Sequence, residues 1–393
     1  MNKAAEQTKE KEYKAYCHWL HGLQSFGPRT IQKLLDIADA RTLYTISEKA
    51  VAHLLTPKQL AVFSASRKEK DILAQYEVVE KKGITFLTKE DAAYPSRLKE
   101  LYDAPFGLYC LGRLPSDTQP TVAIIGARMC SEYGRYMARL FGTELAAAGV
   151  QVISGMALGI DGIAQKGALS AGGTSFGVLG CGVDICYPEE NRSLYDTLVA
   201  EGGVISEYVP GTMPEAKFFP LRNRIIAGLA DIVLVIEARK KSGTLITVEQ
   251  ALDYGRDVYA VPGRVTDRLS DGCNHLIRQG AGIAFSPGDV LEALYGPGVK
   301  TPSGKDKVPT DKPVSEKSTD TPGSERRLQL SPLEEALLRM VDIEPVSVNA
   351  LHDKLCDGGM QVNVPILMNT LVTMCLKGFL FQEGGYFCRR LGA

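Results

Sequence analysis

Apolar positions recur at helical spacing from Tyr13 to about Lys82: Tyr16, Trp19, Leu20 and Leu23 form one stripe, Ile31, Leu34 and Leu35 the next. Beyond Thr121 the pattern changes. Apolar runs of strand length, Val122 to Ile125, Val150 to Ile153, Phe176 to Leu179, Val204 to Ile205, Ile232 to Ile236 and Val258 to Val261, alternate with helical stretches as far as about Leu294. Continuous apolar strands separated by helices predict a parallel sheet covered on both faces, an α/β fold. Ligands of such sheets bind outside the carboxyl ends of the strands.

Four segments follow from these patterns. Residues 1–83 are a helical N-terminal domain, and 84–294 are the sheet domain, entered through two short strand-like pieces around Tyr94-Pro95. Residues 295–329, rich in Pro, Ser, Thr, Lys, Asp and Gly, bury almost nothing and read as a flexible linker. Residues 330–393 predict helices from Pro332, from about Val348 and over Pro365 to Leu376, then strands Phe379 to Phe381 and Tyr386 to Cys388 joined at Gly384-Gly385. Three helices and a hairpin make a winged helix. With five basic against seven acidic residues from 331 onward, protein contact suits it better than duplex binding. In the N-terminal domain, Leu23-Gln24-Ser25-Phe26-Gly27-Pro28-Arg29-Thr30 resembles the turn of a helix-hairpin-helix module. Its helix start either touches a DNA phosphate or serves packing alone.

Composition narrows the chemistry. The net charge of the 393 residues is −1, and residues 120–294 carry 15 Lys and Arg against 19 Asp and Glu, so a polyanion must be held by local arginines and backbone dipoles. The nine cysteines form no C-x-x-C pair and the five histidines complete no zinc set, so reduced structural thiols and no metal are expected. No apolar run approaches a membrane span and Met1 to Lys11 lack an apolar leader core, which places the protein in the cytoplasm, off the membrane.

The strand ends carry the candidate chemistry. Gly126-Ala127-Arg128 follows the first strand, where glycine admits a phosphate and Arg128 closes over it. The dinucleotide fingerprint G-x-G-x-x-G is missing, and no cofactor is expected. Ser154-Gly155 opens a second anion nest, with Asp161 as a helix cap. Gly180-Cys181-Gly182 forms a third, near Tyr187 and Arg192, whose planar faces suit stacked bases, although core packing explains Tyr187 equally well. Phe218-Phe219-Pro220-Leu221-Arg222-Asn223-Arg224 and Ser242-Gly243-Thr244 then begin two helices around a buried strand, bringing guanidinium groups, hydroxyls and amides together.

These motifs stand in a family-specific order. Gly126-Ala127-Arg128, Ser154-Gly155-Met156-Ala157-Leu158-Gly159-Ile160-Asp161, Tyr187-Pro188, Ser206-Glu207-Tyr208, Phe219 to Gly228, Ser242 to Thr247, Gly255-Arg256, Val261-Pro262-Gly263 and Asn274 to Ile277 resemble the DNA-processing protein A family over about 175 residues. The resemblance implies an extended Rossmann-like domain that binds single-stranded DNA without catalysis and dimerises through that domain. It also implies protection of incoming strands during natural transformation and loading of the RecA recombinase. Arg128 becomes a phosphate-binding arginine. Ser154, Gly155, Gly180, Cys181 and Gly182 line the same groove, and Arg222, Asn223, Arg224, Ser242, Gly243 and Thr244 complete it. Two positions depart from the family pattern: Gln165 replaces a histidine, and Glu189 replaces a basic residue whose contact is lost or passes to Arg192 or Lys217.

Two rival functions share these features. A nucleotide phosphoribohydrolase of the lysine-decarboxylase-like type needs a Gly-Gly-x-Gly-Thr-x-x-Glu loop. The counterpart here, Lys241 to Glu249, keeps one glycine of three and sets the glutamate farther from Thr244 than the motif does, a rotation of about 100° per residue step around the helix. A pure interaction scaffold leaves three arginines at glycine-rich strand ends without a purpose.

Overall fold

In the computed structural model, residues 2–23, 25–67, 71–297, 330–341, 346–360, 362–383 and 386–389 are described. The chain divides into two compact units, Met1–Pro302 and Ser303–Ala393.

The first unit opens with six helices: α1 (Asn2–His21), α2 (Pro28–Leu35), α3 (Ala40–Thr45), α4 (Glu48–Val51), α5 (Pro57–Ser66) and α6 (Ile72–Lys81). Local chemistry sets their starts. Asp39 and Asp71 cap α3 and α6, while Thr56 and Gln59 form a capping box that spans Pro57. The sequence stripe is the buried face, with Trp19, Leu20, Leu23, Ile31 and Leu34 in one core. The turn between α1 and α2 reaches Pro28 through Gly27, which gives no side-chain cap; Gln24 lies outside the described residues.

A nine-stranded sheet follows: β1 (Thr85–Thr88), β2 (Gly107–Gly112), β3 (Thr121–Ile125), β4 (Gln151–Ser154), β5 (Ser175–Val178), β6 (Gly203–Ser206), β7 (Ile232–Val235), β8 (Asp257–Ala260) and β9 (Gly282–Ile283). Their order is β1-β2-β6-β5-β4-β3-β7-β8-β9. From β6 to β9 every pairing is parallel, and β2 runs against β6 at one side. The two strand-like pieces around Tyr94-Pro95 are thus an antiparallel extension of the main sheet. β9 has no sequence signal because it is two residues long.

Helices cover both faces. The short α7 (Ser96–Lys99) precedes α8 (Glu132–Ala147), α9 (Ile160–Ser170), α10 (Arg192–Glu201), α11 (Phe218–Leu229), α12 (Gly243–Asp253), α13 (Asp271–Arg278) and α14 (Pro287–Tyr295). Phe141 and Leu145 of α8, Ile160 of α9 and Val290 of α14 bury one face, while Ile225, Val248 and Cys273 of α11, α12 and α13 bury the other. The strand order reverses between β3 and β7, the point at which doubly wound sheets open a crevice.

The N-terminal helices share a core with α10 and β2. His18 Nδ1 is 2.7 Å from the Tyr109 hydroxyl, and His21 Nε2 is 2.6 Å from the Glu207 carbonyl oxygen. Burial lowers both imidazoles to about 4, so they are neutral at physiological pH.

The second unit contains α15 (Pro332–Met340), α16 (Val348–Asp357) and α17 (Val364–Leu376), with β10 (Val346–Ser347), β11 (Leu380–Glu383) and β12 (Tyr386–Arg389). The strands pair antiparallel in the order β10-β12-β11. Leu337, Leu351, Leu355, Leu371 and Phe387 form its core. The expected Gly384-Gly385 turn lies outside the described residues. Among the described residues no helix is long and apolar enough to cross a membrane.

Candidate functional site

Two of the three expected anion nests are filled by the chain itself. At the end of β3, the Ala127 amide donates to the Glu237 carbonyl at 2.8 Å, and the Ser131 amide donates to the Glu237 carboxylate at 2.9 Å. The Ser131 hydroxyl also donates to that carboxylate. Glu237 is fully buried beside Gly134, where a Cβ would collide with its carboxylate. An acidic side chain therefore stands at the start of a 16-residue helix, where the free amides and the helix dipole favour an anion. Gly126 packs against Ile160 and the Glu237 backbone, and the Ala127 amide is taken by the Glu237 carbonyl.

At the end of β4, the Gly155 amide donates to Asp161 at 3.1 Å and the Ser154 hydroxyl to the Ile124 carbonyl at 2.6 Å. Ser154 is thereby removed from the groove. Asp161 lies inside α9, buried, and acts as an internal acceptor; Gly159 is the residue that caps the helix, with φ 77°. Met156 adopts a left-handed φ of 55°, unusual for a non-glycine residue, and Asn191 Nδ2 holds the loop by donating to the carbonyls of Met156 and Ala157 at 3.0 and 3.2 Å.

The third nest is open. Arg128, Gly155, Ala157, Leu158, Leu179, Gly180, Cys181, Tyr187, Pro188, Phe219 and Arg222 line a cavity of about 90 Å³ over the ends of β4 and β5. The Phe219 ring is its centre. Tyr187 stacks on it at 5.5 Å with an interplanar angle of 28°, and the guanidinium carbons of Arg128 and Arg222 lie 5.8 and 5.9 Å from its centroid. Tyr187 is 42% exposed, so core packing does not account for it. Phe219 had a sequence signal, the aromatic pair before Pro220 at a helix start, but its central place did not follow from that.

Arg222 is buried and fixed from several sides. Its Nη1 donates to the carbonyls of Gly155 (2.9 Å) and Val178, and its Nε donates to Asn223 Oδ1 at 3.3 Å. Gly155 makes the room, since a Cβ there would stand 2.6 Å from Arg222 Nη2. Burial lowers the guanidinium to about 10, still charged at neutral pH, with Asp161 as its nearby counter-charge. Asn223 thus orients the arginine.

The remaining expected residues are not gathered here. Arg224 is buried in an ion pair with Glu207 and donates to the Asp103 carbonyl at 2.9 Å, so its side chain is committed to the fold. Arg192 makes two bonds to Glu189, 3.1 and 2.9 Å, which turns the unexpected carboxylate toward its own cation. The amide of Gly182 donates to the Thr212 carbonyl at 2.9 Å, away from the cavity. Ser242, Gly243 and Thr244 begin α12 outside the cavity lining. Gln165 is buried and donates to the Phe176 carbonyl at 2.9 Å, a packing role.

A larger depression of about 360 Å³ lies at the amino edge of the sheet, lined by Arg97, Asp117, Asp231 and Asp257. Arg97 and Asp231 satisfy each other there through two bonds of 2.9 Å. The smaller cavity at the carboxyl edge is the better candidate, because it has the strand ends, the aromatic ring and the two guanidinium groups. At about 90 Å³ it is too small to enclose a nucleotide cofactor, whose sites span roughly 300–1,000 Å³.

Burial raises the Glu237 carboxyl above its ordinary 4.5. The folded protein holds that proton to higher pH than the unfolded chain does, so this group's contribution to stability falls as pH rises from 4.5 through the raised value. Glu237→Gln removes this contribution. Urea unfolding measured across that window is expected to show a flatter dependence on pH in the variant.

The architecture and cavity define a doubly wound α/β protein with an arginine- and aromatic-lined cavity at the carboxyl edge of its sheet. Residues 85–295 match the family described as DNA recombination-mediator protein A, more than half of the chain, and the chain belongs to that family. It is 45% identical to DNA processing protein DprA of Streptococcus pneumoniae over 205 residues, 51% of this chain and 71% of that relative. Against protein Smf of Synechocystis it is 41% identical over 219 residues, 55% of each chain. The X-ray structure of DNA processing protein A from Streptococcus pneumoniae aligns with a TM-score of 0.61 at 37% identity, covering 71% of this chain and 96% of that one.

Proposed function

We propose that the protein binds single-stranded DNA at the Phe219 cavity as a non-catalytic recombination mediator. The observation that carries this reading is the Phe219 ring, stacked on Tyr187 and flanked by Arg128 and Arg222. A ring offers any base a face, and two cations beside it take the adjoining phosphates, a combination suited to a strand of any sequence. In this role the protein protects incoming strands, loads RecA during natural transformation, works in the cytoplasm and dimerises through its sheet domain.

Hydrolase chemistry has less support. Glu249, which would supply the acid, lies exposed on α12 and is absent from the cavity lining. For the second unit, a winged helix, we favour protein contact: α17 contains no charged residue, and Ile366, Val372 and Leu376 are exposed along it.

Anisotropy with labelled oligothymidine tests the binding reading. Each phosphate contact contributes about 0.7 to the slope of log affinity against log salt, so Arg128→Ala is expected to lower the slope by about that amount. Wild-type protein that binds no oligothymidine, or that releases adenine from adenosine monophosphate in a manner abolished by Glu249→Gln, overturns it.

A further inference from the structure

The carboxyl edge of the sheet carries more positive charge than the Phe219 cavity uses. The cavity lies over the ends of β5 and β4, and Arg128 follows β3, the next strand. Beyond it, Arg239, Lys240 and Lys241 follow β7, and Arg268 lies in the segment after β8. That segment is tied to the end of β7, since the Ala238 amide donates to the Leu269 carbonyl at 2.8 Å. All four cations are exposed, and among the described residues none of them forms an ion pair. Met129 and Val265, each 87% exposed, stand on the same edge after β3 and β8.

The opposite flank has the reverse character. Toward β6, Glu189, Glu190 and Glu215 are exposed, and the two cations there are already engaged, Arg192 by Glu189 at 2.9 Å and Lys217 by Glu215 at 2.7 Å. Toward β7 and β8 the carboxylates Glu132 and Asp267 are engaged, by Arg135 at 3.2 Å and by the Leu269 amide at 2.9 Å, so a polyanion leaving the cavity meets four exposed cations there and exposed carboxylates toward β6. In a segment with more acidic than basic residues, this local asymmetry decides the direction.

We propose that a single strand of DNA held at the Phe219 cavity continues along the carboxyl edge toward β7 and β8, its phosphates lying against Arg239, Lys240, Lys241 and Arg268. This rests on the reading of the cavity as a single-strand site. From β5 to β8 the path crosses four strand spacings, about 19 Å at about 4.8 Å each, long enough for a short run of nucleotides. The exposed Met129 and Val265 side chains give apolar surface beside that run.

The test compares oligothymidines of about two nucleotides, too short to reach beyond the cavity, and about twenty on the full chain, using wild type, Arg128→Ala and the triple variant Lys240→Glu, Lys241→Glu, Arg268→Glu. The substituted side chains of the triple variant are exposed, and thermal unfolding checks that its fold is kept. The triple variant is expected to bind the short strand within about twofold of wild type and the long strand at least tenfold more weakly. Its salt slope on the long strand should fall by about 2, three contacts at about 0.7 each. Unchanged binding of the long strand overturns the path, and so does an equal loss for both lengths, which would put the cations in the cavity itself. If Arg128→Ala weakens both lengths while the triple variant weakens neither, the cavity reading stands and the path fails. If wild type binds neither strand, both fail.

Discussion

Arg222→Ala is expected to unfold the site as well as empty it. The guanidinium bridges the Gly155 and Val178 carbonyls, which belong to neighbouring strand ends, and it neutralises the surroundings of buried Asp161. Alanine leaves two buried acceptors without a donor and one carboxylate without its counter-charge. Breaking a buried pair from one side costs about 3–5 kcal/mol, which denaturant titration would read as a large fall in midpoint. Oligothymidine affinity of the molecules still folded should fall at least tenfold, about 1.4 kcal/mol, because one of the two cations beside Phe219 is gone. Arg222→Lys separates the two effects. It keeps the charge near Asp161 but cannot reach both carbonyls with a planar fork, so stability recovers in part while binding recovers less. A variant as stable as wild type and equal in binding would remove Arg222 from both roles.

The second large effect is expected at Arg224, for a different reason. Its pair with Glu207 joins α11 to the segment after β6, and its other hydrogen bond reaches the Asp103 carbonyl before β2. Glu207→Ala leaves a buried guanidinium unpaired and should cost about 3–5 kcal/mol. Replacing both partners together, Glu207→Leu with Arg224→Met, should recover much of that loss, since an apolar pair of similar volume is often neutral or better. The salt slope for oligothymidine should stay at the wild-type value in the double variant. A slope lower by about 0.7 would show that Arg224 touches phosphate after all.

The comparison of these two arginines shows what could be read from sequence. Both stand in one short helical run, and helix spacing alone shows that they do not share a direction: two residues apart, they differ by about 200° around the axis. Which one faces the strand ends depends on where Gly155 and Glu207 lie in three dimensions. The parallel sheet was legible because its buried strands are continuous apolar runs, and the Gly180-Cys181 turn because glycine marks a close approach. Glu237 was not legible as a nest filler. It ends one strand, whereas the helix that it serves follows another, a pairing made only by the adjacency of β3 and β7. The same limit applies to Arg239-Lys240-Lys241, an ordinary basic run until strand order places it three spacings from the cavity.

Glu237 has one more consequence. A carboxylate built into the chain is present at the head of α8 in every molecule, at an effective concentration that no dissolved anion matches. Free mononucleotides and inorganic phosphate must displace it to enter the crevice between β3 and β7, and displacement leaves a buried acid without its donors. The head of α8 is thereby closed to dissolved phosphate by the chain's own acid.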